Sequence, residues 1–519
     1  MDLYAQQALE EYNSEATAAH PGGVDGRPFW NVHSTQFIFN PSFSFSQNLG
    51  AEKFLFTATD CNGKEHSFKT DNSSAFLTPI WGELPTGYVT LKVEVLDQND
   101  NPEYLLGART FFKASPFPGR ENLPPRACSY KECAFKALRY VYNDPTVQHW
   151  LTYGKPEPDY YHNVYPSKTI SSIVDAMISY AKLDSENADN AIRLAVRATD
   201  YLISLTYGED SPLAGLPPTY SFKDLNEELV LKTAPAAGKR KDLQMMIYPA
   251  SAGNAYLKLE KATGDIKYFE AAKRIAEYYK ENVLPNGSWY LLVSAETGKP
   301  VADNFCLAFS ILDFIHNMYE RTGEEVWQEL EKNYYKHFTS ECLDKYNWEG
   351  QFEDSTLSGN YSNLTHLEAD KLIKYIAQNM ADDPKMIAEA EDLMRFVEDQ
   401  FVVWGEFATW NPHYKEGESY WYSPAGLEQY HWYVPIDAST SRIMDAFLDV
   451  YTINKNPLLL EKACALGDSI TRMQNSESGI IPTHWMKKDC MTNIENFWFN
   501  CQIATGFYMM RLAEIMGEI

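Results

Sequence analysis

The spacing of hydrophobic residues changes once along the chain, between residues 115 and 130. Before this point, segments such as YVTLKVEVLD alternate apolar and polar residues, which is the period of a half-buried strand. Turn sequences such as CNGK and QNDNP separate these segments at roughly ten-residue intervals. After it, apolar residues recur three and four positions apart, which is the period of a helix with one buried face. The pattern predicts a small β domain followed by a much larger helical one.

The two patterns are separated by a proline-rich segment, PFPGRENLPP, whose composition is typical of a linker. In the β region, the alternating residues Val89, Leu91, Val93 and Val95 are expected to face a core. Strands of this length and spacing favour a sandwich of the immunoglobulin or fibronectin type. We therefore expect four parts: an N-terminal arm at 1–24, a β-sandwich at 25–115, a linker at 116–129 and a helical domain at 130–519.

The helical region contains twelve segments with helical periodicity. They lie at about 130–143, 167–182, 186–206, 242–261, 265–283, 301–322, 324–338, 363–380, 384–403, 436–453, 456–474 and 494–516. Short turns such as ATGD and RTGEE alternate with long connections rich in aromatic residues. This alternation predicts six helical hairpins arranged in a ring, a mainly α (α/α)6 toroid in which the helix at 130–143 closes the outer layer. An open solenoid is the alternative, but it does not explain why every second connection is long and aromatic.

The long connections of such a ring would converge on one mouth. The stretch from 405 to 439 illustrates their composition, because its 35 residues include nine aromatic residues, two histidines and five carboxylates. We expect it to be ordered, since disordered segments are poor in aromatic residues, and to lack secondary structure of its own. Aromatic faces next to carboxylates and imidazoles suit a hydroxyl-rich ligand such as a sugar. A packed loop whose aromatic residues belong only to the core is the alternative.

Charge and cysteine content restrict the partners. The 519-residue chain has a net charge of −26, so nucleic acid and anionic membrane surfaces are not expected to bind it. No apolar run reaches the length of a membrane span, and the first residues lack the features of a signal peptide. The eight cysteines show no metal-ligand spacing, and we expect no metal and no cofactor. Free thiols favour a reducing compartment, so we expect a cytoplasmic protein. If a leader has been removed, the periplasm or the exterior is the alternative. The oligomeric state is left open.

Several loop sequences, among them NGSWY, WEGQFED and LEQYHWYVPIDAS, together with the helix-pair repeat, resemble the six-hairpin glycosidase superfamily. The resemblance covers about 390 residues. Within that superfamily the chain is most similar to bacterial enzymes that act on uronic-acid glycans: glucuronidases, unsaturated glucuronyl hydrolases and related toroidal lyases. The resemblance implies an enzyme of carbohydrate metabolism, a glucuronidase-like glycoside hydrolase that acts at a uronic-acid residue of a short oligosaccharide. No uninterrupted signature transfers one family's catalytic residues to this chain.

Hydrolysis of a glycosidic bond normally uses two carboxyl groups, one protonated and one ionised. Candidates stand in the long connections, near the predicted starts of inner helices. They are Glu353, Asp354, Glu428 and Asp437. For each residue alone, a helix cap or a salt bridge is the alternative role, and Asp437 in particular is placed to start a helix.

Substrate binding would need aromatic platforms, polar groups and a cation for the uronate. The candidates, by residue type, are Trp289, Trp348, Trp421, Trp432, Trp485 and Trp498; His162, His484 and Asn363; and Lys168 and Arg442. Arg27, Lys239, Arg240, Lys241, Lys487 and Lys488 are further cations near the predicted mouth. The tryptophans at 289, 348 and 485 are equally suited to seal hairpins.

A lyase or a C5-epimerase would use the same connections differently. Either reaction neutralises the uronate carboxylate and removes the C5 proton, commonly with His or Asn and a nearby Tyr. NYSNLTH supplies Asn363 and His366, and QYHWY supplies Tyr430 and His431. A carbohydrate-binding protein without catalysis is the third possibility. Nothing in the sequence separates hydrolase from lyase.

Overall fold

The computed structural model describes residues 3–13, 34–45, 51–354, 363–405, 421–486 and 497–519. Its N-terminal part consists of a helix and seven strands with a short second helix. These are α1 (Leu3–Asn13), β1 (Gln36–Phe37), β2 (Ser42–Ser44), β3 (Phe54–Thr59), β4 (Glu65–Thr70), β5 (Ser74–Phe76), α2 (Thr78–Trp81), β6 (Gly87–Leu96) and β7 (Pro102–Lys113). Five strands form one sheet in the order β1-β7-β6-β3-β4, and β2 pairs with β5 in a separate ribbon.

The main sheet is antiparallel except where β1 runs parallel to β7. The alternation in β6 has the predicted consequence, because Val89, Leu91, Val93 and Val95 are all buried on one face. That face is covered partly by the β2–β5 ribbon, where Phe43 stacks on Phe111. The domain boundaries drawn from the sequence stay a prediction.

The rest of the chain is mainly helical. The helices are α3 (Tyr130–Asn143), α4 (Pro145–Tyr153), α5 (Pro166–Leu183), α6 (Ala188–Ser204), α7 (Glu227–Thr233), α8 (Pro235–Lys239), α9 (Tyr248–Thr263), α10 (Ile266–Glu281), α11 (Phe309–Thr322), α12 (Glu325–Thr339), α13 (Leu367–Asn379), α14 (Pro384–Phe401), α15 (Asp437–Asn454), α16 (Pro457–Met473) and α17 (Phe499–Ile515). Short strands interrupt the connections: β8 (Leu243–Met245), β9 (Leu292–Ser294), β10 (Val402–Val403), β11 (Ala425–Gln429) and β12 (Trp432–Pro435).

Six helical hairpins close into a ring. The pairs are α5–α6, α9–α10, α11–α12, α13–α14, α15–α16 and α17–α3, and the first helix of each pair contacts the first helix of the next until α17 returns to α5. In inner helix α15, 13 of 18 residues are buried, whereas 7 of 17 residues are buried in outer helix α6. The predicted mainly α (α/α)6 toroid is therefore confirmed, including the role of α3 in closing the outer layer.

The predicted starts of three inner helices were too early. The segments at 242–247, 301–308 and 363–366 contain extended residues, because β8 pairs with β9 and residues of the other two segments form isolated bridges. The connection before α15 was also wrongly expected to lack secondary structure, since β11 pairs with both β10 and β12. Helices α4, α7 and α8 were not predicted. Residues 406–420 of that connection lie outside the described residues.

The N-terminal domain contacts the ring beside this three-stranded sheet. Asp399, at the end of α14, accepts hydrogen bonds from the backbone N–H groups of Ile38 and Phe39 at 2.6 and 2.8 Å. Gln36 donates to the carbonyl oxygen of Val402 at 3.1 Å. The β domain is thus attached to the strands that lead to the mouth of the ring. Among the described residues, no helix is long and apolar enough to cross a membrane.

Candidate active site

A cavity of about 610 Å³ lies at one end of the ring, where the inner helices begin. The start of every inner helix contributes to its wall. The residues are Tyr165 and Lys168, Tyr248 and Ser251, Ala308 and Ser310, Leu367 and Lys371, Ser439 and Arg442, and Trp498, Asn500 and Cys501. The N-terminal end of a helix carries partial positive charge on its free N–H groups. This end of the ring therefore favours negatively charged groups.

Two of the predicted mouth connections meet at this cavity. Thr365 forms a bridge with Gln429, and the Asn363 side chain donates to the Gln429 side chain at 2.8 Å. The Asn363 oxygen also accepts the backbone N–H of His431 at 2.9 Å. Asn363 is buried and stands behind the wall, so its role here is to join the connections. The result is that Glu353, Asp354 and Glu428 share one cavity.

Glu353 is held by its neighbours on the wall. Its carboxylate forms a salt bridge with Lys168 and accepts a hydrogen bond from the hydroxyl of Tyr248. Burial alone would raise the pKa of this carboxyl, but the Lys168 ammonium and the Tyr248 hydroxyl lower it below the ordinary value. Tyr220 donates to the Glu353 carbonyl at 2.9 Å. Glu353 is thus an ionised group that fixes its own segment.

Asp354 and Glu428 have the opposite electrostatics. Desolvation, and then the nearby charge of Glu353, raise the pKa of Asp354, although its side chain is open to the cavity. Burial, and then the charge of Asp354, raise the pKa of Glu428 to about 7. The pKa of Glu428 thus lies close to neutral pH, whereas that of Glu353 is held below its ordinary value. The cavity therefore brings together carboxyl groups whose pKa values are shifted in opposite directions.

Three cationic side chains line the cavity. Lys168 pairs with Glu353, and Lys371 pairs with Glu368 at 3.0 Å. Arg442, on the first turns of α15, has no hydrogen bond or ion pair with any described residue. Among the described residues of the wall, the Arg442 guanidinium is therefore the cation that is open to a ligand. Lys487, Lys488 and Arg27 lie outside the described residues.

Aromatic residues form one side of the cavity. Trp432 and Trp498 line it together with Tyr161 and His162, and the rings of His162 and Trp498 are 5.7 Å apart. Burial, and then the Lys168 charge, lower the pKa of His162 to about 3. His162 is therefore a neutral imidazole in the wall.

Four predicted sugar platforms lie instead in the core. Trp289, Trp348, Trp421 and Trp485 are at most 2% exposed and do not line the cavity. The indole of Trp289 donates to the Tyr279 carbonyl at 2.9 Å, and that of Trp485 donates to the Pro482 carbonyl at 3.0 Å. Trp289, Trp348 and Trp485 are therefore core residues, in line with the alternative role given for them, and Trp421 is buried as well. The apolar area of the indole explains the preference, since a tryptophan at a helix–loop junction stabilises more when buried.

Other predicted residues stand near the cavity but do not line it. The Tyr430 hydroxyl donates to Gln400 at 2.5 Å and contacts Ser34 Oγ at 3.1 Å, so it faces the N-terminal domain. His431 is exposed outside the wall. His484 is buried and accepts the indole N–H of Trp432 at 3.3 Å, which orients that tryptophan.

Asp437 and His366 are fully buried behind the wall. Burial raises the pKa of Asp437 well above its ordinary value, and its Oδ2 accepts the Thr505 hydroxyl at 3.2 Å. Asp437 is the first residue of α15 but does not cap it. His366 lies between Asp370, which contacts its Nδ1, and Ser439 Oγ, 2.9 Å from its Nε2. Asp437 is thus not placed for acid–base catalysis on a cavity ligand.

The sequence interpretation did not identify Tyr248 or Ser439. Both occupy the first turn of an inner helix and line the cavity. Their position relative to the helix start is a signal that the sequence contains, but the start of α9 was placed six residues too early. No group of three or more His, Cys, Asp or Glu side chains suited to a metal ion occurs in the described ranges.

Comparisons with known proteins give matches in structure only. No protein-family model matches the chain, and no curated protein matches it in sequence. A cellobiose 2-epimerase from Spirochaeta thermophila is similar with 12% identity and a TM-score of 0.48 over 73% of this chain and 96% of that one. A family 76 glycoside hydrolase from a bovine Bacteroides thetaiotaomicron strain has 10% identity and a TM-score of 0.43 over 91% and 94%. An unsaturated glucuronyl hydrolase specific for heparin has 12% identity and a TM-score of 0.45 over 75% and 96%.

Proposed function

We propose that this protein is a glycoside hydrolase that acts at a uronic-acid residue of a short oligosaccharide. The observation that carries the proposal is the pair formed by Asp354 and Glu428 in one cavity, with the pKa of Glu428 raised to about 7. Glycosidases need one carboxyl that donates a proton and one that acts as base or nucleophile. Here burial shifts the pKa of Glu428 into the range that suits a proton donor at neutral pH.

Glu428 is the general acid in this mechanism. Because its pKa is raised to about 7, roughly half of the molecules carry the Glu428 proton at neutral pH. Glu428 and Trp432 both line the cavity. Glu428 would protonate the oxygen of the scissile glycosidic bond. Asp354, open to the cavity, would act in its ionised form on the anomeric carbon or on the attacking water. Glu353, which is held by Lys168 and Tyr248, fixes the segment that carries Asp354.

A uronate suits the remaining features of the wall. A guanidinium binds a carboxylate through two parallel N–H groups, and Arg442 has no such partner among the described residues. The six inner-helix N-termini at this end of the ring add partial positive charge. Together they supply a subsite for a single carboxylate. An extended polyanion would need a row of cations, which the wall does not contain in its described part.

The size of the cavity suits a short ligand. Its volume of about 610 Å³ falls within the range of roughly 300–1,000 Å³ that is usual for small-molecule sites. Trp432 and Trp498 offer aromatic faces for the apolar side of a sugar ring. The proposed substrate is therefore an oligosaccharide whose terminal uronic-acid residue enters the cavity.

The test combines substitution with product analysis. Glu428→Gln and Asp354→Asn should each lower kcat on an aryl glucuronide or a short uronate oligosaccharide by about 10²-fold or more, the effect of losing a general acid or base. Glu260→Gln, at the opposite end of the ring, is the matched control and should retain full activity, because Glu260 pairs only with Arg321 there. Arg442→Met should instead raise KM for a uronate and leave a neutral glycoside unaffected.

Two results would contradict the proposal. One is full activity of both Glu428→Gln and Asp354→Asn. The other is a product that absorbs in the ultraviolet because of a new C4–C5 double bond, since hydrolysis forms none.

A lyase or epimerase is the second candidate, and His162 is the observation that favours it. His162 and Tyr161 line the cavity with their rings in contact, the pair of residue types that these reactions commonly use. Because burial lowers the pKa of His162 to about 3, its imidazole is a weak base in this setting, which places the lyase or epimerase second. The earlier candidates for this reaction, His366 and Tyr430, do not reach the cavity. His162→Ala would abolish elimination or epimerisation but lower hydrolysis only through substrate binding.

A further inference from the structure

Ser439, His366 and Asp370 form a hydrogen-bonded chain at the edge of the cavity that the glycosidase mechanism does not use. Ser439 Oγ lies 2.9 Å from His366 Nε2, and the other ring nitrogen, Nδ1, contacts the Asp370 carboxylate. Ser439 lines the cavity with only 1% of its surface exposed, and beside it His366 is fully buried and Asp370 is 8% exposed. We propose that this chain is a serine–histidine–aspartate triad and that the cavity also hydrolyses an ester carried by a bound sugar.

The order of the contacts is the first argument. A nucleophilic serine needs a base that accepts its proton, and that base needs a carboxylate that fixes its tautomer and stabilises its charged form. A hydrogen on His366 Nδ1, donated to Asp370, leaves Nε2 free to accept the Ser439 proton. The aspartate contacts the nitrogen opposite the serine, as this chemistry requires.

The position of the three residues is the second argument. His366 and Asp370 are four residues apart at the start of α13, so they lie on the same face of that helix. Ser439 is the third residue of α15, and its backbone N–H belongs to the helical turn that lacks intrahelical acceptors. An N–H group there is placed to stabilise the negative oxygen of a tetrahedral intermediate.

The third argument is the cost of the arrangement. A histidine and a carboxylate that are both buried lose much of their hydration, and a hydrophobic pair of similar size would fill the same space at less cost. Two inner helices are already joined by other packing contacts between α13 and α15. The buried polar chain leads from the interior to a serine on the cavity wall, which suits a reactive group better than a purely structural contact.

The reaction balances without any further reagent except water. Ser439 Oγ attacks the ester carbonyl carbon while its proton passes to His366 Nε2. The bond between the carbonyl carbon and the sugar oxygen breaks, and the sugar hydroxyl leaves with that proton. Water then attacks the acyl group on Ser439, His366 takes a proton from the water and returns it to Ser439, and the carboxylic acid is released. The ligand class is an O-acylated sugar of the size that the cavity accepts.

The experiment treats the intact protein with a fluorophosphonate probe and with 4-nitrophenyl acetate. Peptide mapping by mass spectrometry should place the phosphonate on Ser439, and the ester should be hydrolysed with an initial burst. Asp370→Asn should slow ester hydrolysis by about 10³-fold or more, because the imidazole loses its orientation. Ser439→Ala should abolish both signals. Ser441→Ala is the matched control: its hydroxyl, two residues on in the same helix, bonds to the Ala438 carbonyl, and both signals should persist.

Glu428→Gln separates this activity from glycoside hydrolysis, since it should retain the phosphonate label and the burst. Failure of Glu428→Gln to lose glycosidase activity would leave the esterase result untouched. An unmodified Ser439 in the wild-type protein, or a probe attached only to another residue, would overturn the triad whatever the variants do.

Discussion

The two ends of the ring begin their helices differently. None of the six inner helices has an N-cap residue whose side chain bonds to the first turn, and all six begin at the cavity. At the opposite end, Ser129, Asp265, Asp383 and Asn456 cap four of the six outer helices. Caps satisfy free N–H groups and stabilise a helix. Their absence at the cavity leaves first-turn N–H groups to ligands and neighbouring loops, so one end serves stability and the other serves binding.

Charged residues follow the same division. At the capped end, ion pairs such as Arg321–Glu260 and Lys267–Asp200 are partly exposed and contribute little. At the cavity, Lys168 and Glu353 form a pair in which the carboxylate is almost completely buried. A buried ion pair and an exposed one therefore differ in energetic weight, and Arg511, which pairs with the buried Asp445 and Asp449 near the end of α17, belongs with the buried class. The predictions below test this contrast.

The largest expected effect follows the loss of a buried partner. Lys168→Met leaves the Glu353 charge buried with only the Tyr248 hydroxyl as its partner, and it should lower the free energy of unfolding by about 3–5 kcal/mol. Arg321→Met at the capped end should cost less than about 1 kcal/mol. Urea denaturation of both variants measures the difference. Equal losses would show that the two ends do not differ in this way.

The second effect depends on pH. Glu428 keeps its proton up to about pH 7 in the folded chain, whereas an ordinary glutamate loses it near 4.5. Between these values the folded state binds more protons than the unfolded state, so the free energy of unfolding falls as pH rises, by up to about 3 kcal/mol from this group. Comparison of wild type with Glu428→Gln across this window should show a steeper fall in wild type, because the variant lacks the share of Glu428 and keeps those of Asp399 and Asp445, whose pKa values burial raises to about 7 and about 6.

Activity should follow the same group. Deprotonation of Glu428 removes the general acid, so kcat/KM should decline above about pH 7. A rate that stays constant from pH 6 to 9 would rule out this residue as the acid. Asp265→Asn at the capped end should leave both pH profiles unchanged.

A third effect concerns how β11 approaches α15. A Cβ atom on Gly426 would lie 2.7 Å from the Thr440 nitrogen and 2.8 Å from the Ser439 carbonyl carbon. Gly426→Ala must therefore displace backbone, at about 1–3 kcal/mol, and should move Glu428, two residues on, enough to lower kcat. Gly208→Ala meets no atom within 4 Å and has ordinary backbone angles, so it should change neither stability nor activity.

The helical period predicted the ring because it extends over many residues in each of twelve segments. The first residue of each inner helix was harder to predict, since short extended segments such as β8 contain apolar residues that also fit the helical pattern. Glu353, Asp354 and Glu428 were predicted from their place in aromatic connections near the starts of inner helices, and the structure places all three in the wall of one cavity. Their opposite pKa shifts could not be predicted, because the low pKa of Glu353 depends on Lys168, which is 185 positions away in sequence. The prediction that Trp289, Trp348, Trp421 and Trp485 are sugar platforms has a different weakness. Composition identifies an aromatic connection but does not show which of its side chains are buried.

The smallest effect tests the capped end alone. The Asp265 side chain accepts the backbone N–H of Lys267 at 3.1 Å and caps α10 after a two-residue turn. Asp265→Ala removes that acceptor and should lower the free energy of unfolding by about 1 kcal/mol, with kcat and KM unchanged because Asp265 lies at the far end of the hairpin from the cavity. The matched variant at the cavity end is Asp437→Asn. Asp437 is the first residue of α15, and its side chain does not cap that helix. Since burial already raises the pKa of Asp437 well above its usual value, the neutral amide resembles the native side chain, and no loss of helix capping is expected. A loss of activity in Asp265→Ala, measured at a temperature where the variant is fully folded, would show that the two ends of the ring are coupled rather than specialised.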